Sequence, residues 1–205
     1  MARLKLGLFH EQPRAFYMIF LLEIWERFGF YTVQGILTLY FIRFLGLNDE
    51  DAYYTFGAFS ALVYGLVAVG GYLGDNVLGT KRTIVLGLVV LALGYLALAL
   101  VDKQGVFFAL GVICVGNGLF KANPSSLLGK CYEEQDPRLH SGFTLYYMAI
   151  NIGALLATIL CSYSAEYIGW HYGFSIAAIG MLMGIIMFAL YQNVLRSEER
   201  RVGKE

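Results

Sequence analysis

The sequence predicts an all-α membrane protein, a bundle of six transmembrane helices. Three observations predict it. Hydrophobic residues make up 58% of the 205-residue chain and charged residues only 15%, with a mean hydropathy of +0.61; soluble domains carry about 25% charge. Apolar runs long enough to cross a hydrocarbon core of about 30 Å recur six times between short polar loops. The basic residues cluster in alternate loops. The 24 glycines and 16% aromatics suit helices that pack closely and carry rings at the membrane interface.

Residues 1–14 form a polar lead-in, with Pro13 suited to the first turn of a helix. The first helix is expected over 15–45, and within it stand Glu23, Glu26 and Arg27. These lie at i, i+3 and i+4, one face of a helix. A charge near mid-membrane costs about 2.5–3.5 kcal/mol on insertion scales, so three persist only if paired and turned toward protein or water. Phe30, Tyr31, Gln34 and Thr38 continue that face. Leu21, Trp25, Val33, Leu37 and Tyr40 fall on the other side, toward lipid or neighbouring helices, with Trp25 as a lipid-facing anchor. The second helix is expected over 52–74, where Gly65, Gly70, Gly71 and Gly74 allow close approach. The third, over 83–101, is nearly all aliphatic and reads as a support with nothing chemical on it. The fourth, over 106–129, carries a second buried cation, Lys121, on one face with Asn117 and Ser125, and Pro124 should kink it. Asn123 reads as a cap at that kink. The fifth, over 142–164, aligns Tyr147 with Asn151, and the sixth spans 173–194. The bundle thus covers 15–195, and 196–205 reads as a charged, structureless tail.

Of the 15 Lys and Arg residues, eleven fall in the N-terminal segment, the even loops and the tail; only Arg43 and Lys103 fall on the other side. That bias places both termini in the cytoplasm.

Net charge is zero, so nothing suggests a nucleic-acid partner. Cys114, Cys131 and Cys161 are scattered, without CxxC or a histidine at ligand spacing, and read as free thiols. His10, His140 and His171 lie at helix ends and read as interfacial. No nucleophile–base pair, phosphate loop or metal cluster is visible, so no enzyme, metal or cofactor is expected.

Gly70-Gly71-Tyr72-Leu73-Gly74-Asp75-Asn76-Val77-Leu78-Gly79-Thr80-Lys81-Arg82 resembles the loop between helices two and three of the major facilitator superfamily. In it Gly71, Asp75, Gly79, Lys81 and Arg82 form a conformational loop; Asp75 is expected to accept from a neighbouring helix N-terminus, and the basic pair to meet headgroups or acidic partners. Three further stretches resemble the proton-dependent oligopeptide transporters: Glu23-x-x-Glu26-Arg27-Phe28-x-x-Tyr31, Asn117-Gly118-x-Phe120-Lys121-x-Asn123, and Phe143-x-x-Tyr146-Tyr147-x-x-Ile150-Asn151-Ile152-Gly153. They occur in the family's order, and the likeness extends to about residue 194.

The resemblance implies the N-terminal half of a two-bundle fold, with related three-helix repeats, a peptide site between the bundles and a missing C-terminal six-helix half. It implies proton-coupled symport of di- and tripeptides across a bacterial inner membrane, driven by a proton gradient without a cofactor. Proton coupling would rest on Glu23, Glu26, Arg27 and Lys121. Substrate contacts would come from Arg27, Tyr31, Gln34, Tyr64, Lys121, Tyr147 and Asn151, the cations meeting the peptide carboxylate. Phe30 replaces the motif's usual tyrosine, Thr32 its glycine, and Gln34 an arginine found in some members. A purely structural salt bridge between helices one and four is the alternative for the charge cluster. For the whole chain the alternatives are a truncated bundle without transport, or a superfamily transporter of another substrate.

Overall fold

The computed structural model describes residues 11–133 and 135–202, without the side chains at 161, 162, 165, 166 and 192–202. Arg3, Lys5, His10, the Cys161 side chain and 203–205 therefore lie outside the described residues. Six helices long and apolar enough to cross a membrane are present among the described residues.

Helix α1 runs Arg14–Tyr40 and passes into a π-helical turn, Phe41–Leu45, that stops at Gly46 with φ of 80°. Helix α2, Asp49–Asn76, opens on Asn48, whose side chain accepts from the Asp51 amide at 2.8 Å. Asp49, Glu50 and Asp51 fill its first turn, where carboxylates oppose the positive end of the helix dipole. Helix α3, Thr80–Leu100, follows a tight turn at Gly79 with φ of 84°. The fourth span is two helices, α4 (Val106–Lys121) and α5 (Asn123–Gly129), and the break falls where Pro124 predicts it. Helix α6 is Arg138–Tyr167 and α7 is Trp170–Val202.

Helix α7 continues past the end expected for the sixth span. The stretch 196–202, expected to be structureless, is helical in its backbone. Arg and Glu are good helix formers, and no glycine or proline interrupts the run before Gly203.

Two helices press on the first span, α6 and α7 against α1; two press on the fourth, α2 and α3 against α4; α3 meets α7 between them. Exchanging spans one to three with spans four to six maps this packing onto itself, as two related three-helix repeats require.

The α2–α4 crossing depends on glycine. A methyl on Gly70 would overlap the Gly118 backbone, and one on Gly118 would come 2.6 Å from Leu66 Cβ. The two backbones therefore touch. Asn123, at the break, donates from Nδ2 to Leu119 O at 2.7 Å and to Gly70 O at 3.1 Å. It caps the interrupted helix and fastens it to α2 with one amide.

Trp25 differs from expectation. It is half-buried, meets Phe28 edge-on with centroids 6.2 Å apart, and lies beside Gly180 and Gly184 of α7. Two glycines one turn apart cut a groove that takes the indole, so it packs between helices instead of facing lipid.

Candidate functional site

The three charges of α1 point into the bundle and pair with one another. Arg27 Nε lies 3.2 Å from Glu23 Oε1 and donates to Glu26 Oε2 at 2.5 Å. Its Nη2 contacts the same Glu26 oxygen. All three residues are at most 3% exposed. Glu23 Oε2 and Glu26 Oε1 are buried without a hydrogen bond among the described residues. Helix α6 closes over the cluster at Gly153, where a Cβ would sit 2.6 Å from Ile24 O and 2.8 Å from Arg27 Cβ.

Three further polar residues complete the buried group. Tyr146 of α6 reaches Glu23. Tyr95 of α3 lies beside Glu26, Arg27 and Asn117, and packs on Gly29. The third helix is therefore not purely a support. The Tyr95 hydroxyl and both amide atoms of Asn117 are buried without a hydrogen bond among the described residues. One tyrosine in an aliphatic helix gives no periodic signal, so sequence reasoning misses Tyr95. Tyr146 stands within the fifth-helix motif, but the alignment with Asn151 selects Tyr147 in its place.

Lys121, on the last turn of α4, is half-buried. Its Nζ is 3.7 Å from the Tyr64 ring centroid and 5.2 Å from that of Phe30. Among the described residues it makes no ion pair. The charge cluster is thus an internal pairing of α1, and among the described residues no salt bridge joins helices one and four.

The other expected contacts divide by exposure. Tyr31 and Gln34 are half-buried, whereas Tyr64, Tyr147 and Asn151 are exposed. Asn151 donates from Nδ2 to Tyr147 O at 2.8 Å. The expected stripe of Glu23, Glu26, Arg27, Lys121, Tyr147 and Asn151 therefore separates into a buried, self-paired cluster and an open rim. Arg27 in particular is committed to two carboxylates.

At the ends of α2, α4 and α5, Asp75 lies 3.6 Å from Lys130 Nζ and accepts from Ser126 Oγ at 3.5 Å. Asp75 thus partners the end of the fourth span, where the start of a neighbouring helix was expected. Lys130 also donates to Thr80 Oγ1 at 2.8 Å. Gly74, Asp75, Gly79, Lys81, Arg82 and Lys130 help line a cavity of about 350 Å³ there. Gly71 meets Ala122. On the loop into α6, Arg138 binds Asp136 with both Nε and Nη2, at 3.0 and 2.7 Å, and holds its carboxyl below the ordinary value of 3.8. Arg138 Nη1 also donates to Glu11 O at 3.0 Å, and Gln12 accepts from the Tyr132 hydroxyl at 2.6 Å and donates to Ser141 at 2.9 Å. The lead-in is thereby tied to the start of α6.

The POT family model matches residues 81–203. The dipeptide and tripeptide permease B of Photorhabdus asymbiotica is 53% identical over 189 residues, which are 91% of this chain and 39% of that protein. The permease B of Xenorhabdus bovienii is 54% identical over 180 residues, 87% of this chain and 37% of the relative. A crystal structure of the peptide transporter POT in complex with sulfate superposes with a TM-score of 0.86 at 33% identity, covering 89% of this chain and 38% of that one. The chain thus spans about 39% of the length of the first relative. The fold is that of the N-terminal six-helix bundle of the major facilitator superfamily, in an integral multi-pass membrane protein, and these relatives are transporters and not enzymes. With more than half of its length matched by the family model, this chain belongs to the POT family.

Proposed function

We propose that this chain forms the N-terminal half of a proton-coupled di- and tripeptide symporter. One observation carries the reading: Glu23 and Glu26 pair with the single Arg27 inside the bundle, while Lys121 next to them makes no ion pair among the described residues and borders the open rim. A peptide is a zwitterion, and Lys121 offers its carboxylate a cation. Tyr31, Gln34, Tyr64, Tyr147 and Asn151 offer hydrogen-bonding groups that suit a peptide backbone without reading side chains. The peptide ammonium would be met largely by the C-terminal half, with Asn151 contributing.

Coupling follows from the buried triad. Burial and a second carboxylate favour a protonated acid, and a neighbouring cation favours an ionised one. A proton on Glu26 or Glu23 would release part of Arg27, and its departure would restore the pairing. The chemistry is binding and proton transfer within side chains, with a proton gradient and no cofactor. The eleven-to-two basic bias supports a topology with both termini in the cytoplasm, and the family supports a bacterial inner membrane. Residues 15–195 constitute the transporter bundle, between a cytoplasmic segment at 1–14 and a charged cytoplasmic tail at 196–205. Gly71, Asp75, Gly79, Lys81 and Arg82 act as its conformational loop.

The substrate class is tested by competition. The chain is co-expressed with the C-terminal half of the Photorhabdus permease, and uptake of a labelled dipeptide into proteoliposomes is measured. Unlabelled di- and tripeptides should compete, and free amino acids and nitrate should not. Competition by nitrate alone would move the chain to another substrate within the superfamily.

A further inference from the structure

Among the described residues, rings and not a carboxylate hold Lys121. Its ammonium shares the Phe30 ring with Arg27: Lys121 Nζ and Arg27 Cζ each lie 5.2 Å from the same centroid. Tyr64 supplies the closer ring, at 3.7 Å. Nearby, Glu23 Oε2 and Glu26 Oε1 stand buried without hydrogen bonds among the described residues. A full negative charge attracts an ammonium more strongly than a ring quadrupole does. A long, flexible lysine would therefore reach for those oxygens unless something fixed its head elsewhere. Phe30 is placed to do so. It is 2% exposed and meets Tyr31 edge-on at 5.4 Å and 71°, so its ring sits in a packed environment. A phenylalanine carries no hydroxyl, so its hold on Lys121 is through the π face alone.

We infer that Phe30, together with Tyr64, is a positioning residue that keeps Lys121 off the Glu23 and Glu26 carboxylates and holds its ammonium at the open rim for an incoming carboxylate. The inference rests on the reading of Lys121 as the carboxylate contact. It makes Phe30 a determinant of selectivity for ligands with a free carboxylate. Without the ring, Lys121 falls onto the buried carboxylates and is neutralised.

The test uses the chain co-expressed with the C-terminal half of the Photorhabdus permease. Phe30 is replaced by leucine, by tyrosine and by 3,4,5-trifluorophenylalanine, which keeps the ring but drains its π face. KM for a dipeptide is expected to rise in the leucine and trifluoro variants by about two- to thirtyfold, the range one cation–π contact supplies. The change should be carried by KM and not kcat. Phe30→Tyr should remain on the wild-type side. A trifluoro variant indistinguishable from wild type beside an impaired Phe30→Leu would show that the ring only fills space, and would overturn the inference. A fall in KM in either ring-weakened variant would overturn it too. Lys121→Gln separates the two levels. If it leaves dipeptide KM unchanged, the carboxylate role of Lys121 fails, whatever the ring series shows; if it raises KM and the ring series is flat, only the role of Phe30 fails.

Discussion

At the scale of single residues, the decisive arrangement is one guanidinium serving two carboxylates inside an apolar bundle. Arg27→Ala would leave Glu23 and Glu26 buried beside each other with no counter-charge. Removing one partner of a buried ion pair costs about 3–5 kcal/mol, so the purified variant should unfold well below wild type in a detergent thermal melt. An unchanged midpoint would mean that the acids are protonated and Arg27 carries little of the stability. Glu26→Gln keeps the shape and removes a titratable site. It should retain the fold by the same melt while abolishing gradient-driven uptake in the complemented pair. The spacing of Glu23, Glu26 and Arg27 made their shared face legible in the sequence. That they pair was expected from the cost of an unpaired charge in a membrane; that the pairing closes without Lys121 was not, because periodicity shows which residues share a face but not how far that face turns into the bundle. Tyr146 and Tyr147 show the same limit. Neighbours on a helix point about 100° apart; one is buried at Glu23 and the other is exposed.

At the scale of elements, the fourth span shows how a break is made tolerable in a membrane. Pro124 has no N–H for the Phe120 carbonyl one turn back, and beside it the Asn123 side chain donates to the Leu119 carbonyl and to that of Gly70. Asn123→Ala leaves both carbonyls without that amide and should cost about 1–3 kcal/mol, seen as a lowered melting midpoint. No change would show that the glycine crossing alone holds α2 to α4. The break and the glycine face were legible, since proline and closely spaced glycines carry fixed backbone consequences. The partner of the face was not, because that depends on which helices the topology brings together. The Asp136–Arg138 pair makes a smaller contribution. Its folded-state carboxyl is depressed below 3.8, so its stabilisation is present above that pH and lost as pH falls through the lower, folded value.

At the scale of the whole molecule, the six spans follow from apolar length, and the proposed orientation rests on where the basic residues stand. Reporter fusions at Asn48 and Lys81 should appear on opposite sides of the membrane, and both on one side would overturn the topology. The buried triad also changes what an isolated bundle would suffer. Arg27 already faces both carboxylates inside the bundle, so under the proposed function the rim of Tyr64, Lys121, Tyr147 and Asn151 is the surface that a second bundle would cover. Alternating access requires two bundles rocking about one site. The most direct measurement is therefore dipeptide uptake into proteoliposomes under an imposed proton gradient, with this chain alone and with the C-terminal half of a related permease. The account predicts no gradient-driven uptake by the chain alone, recovery with the pair, and loss of that recovery on Lys121→Ala. Robust uptake by the lone chain, or recovery indifferent to Lys121, would contradict it.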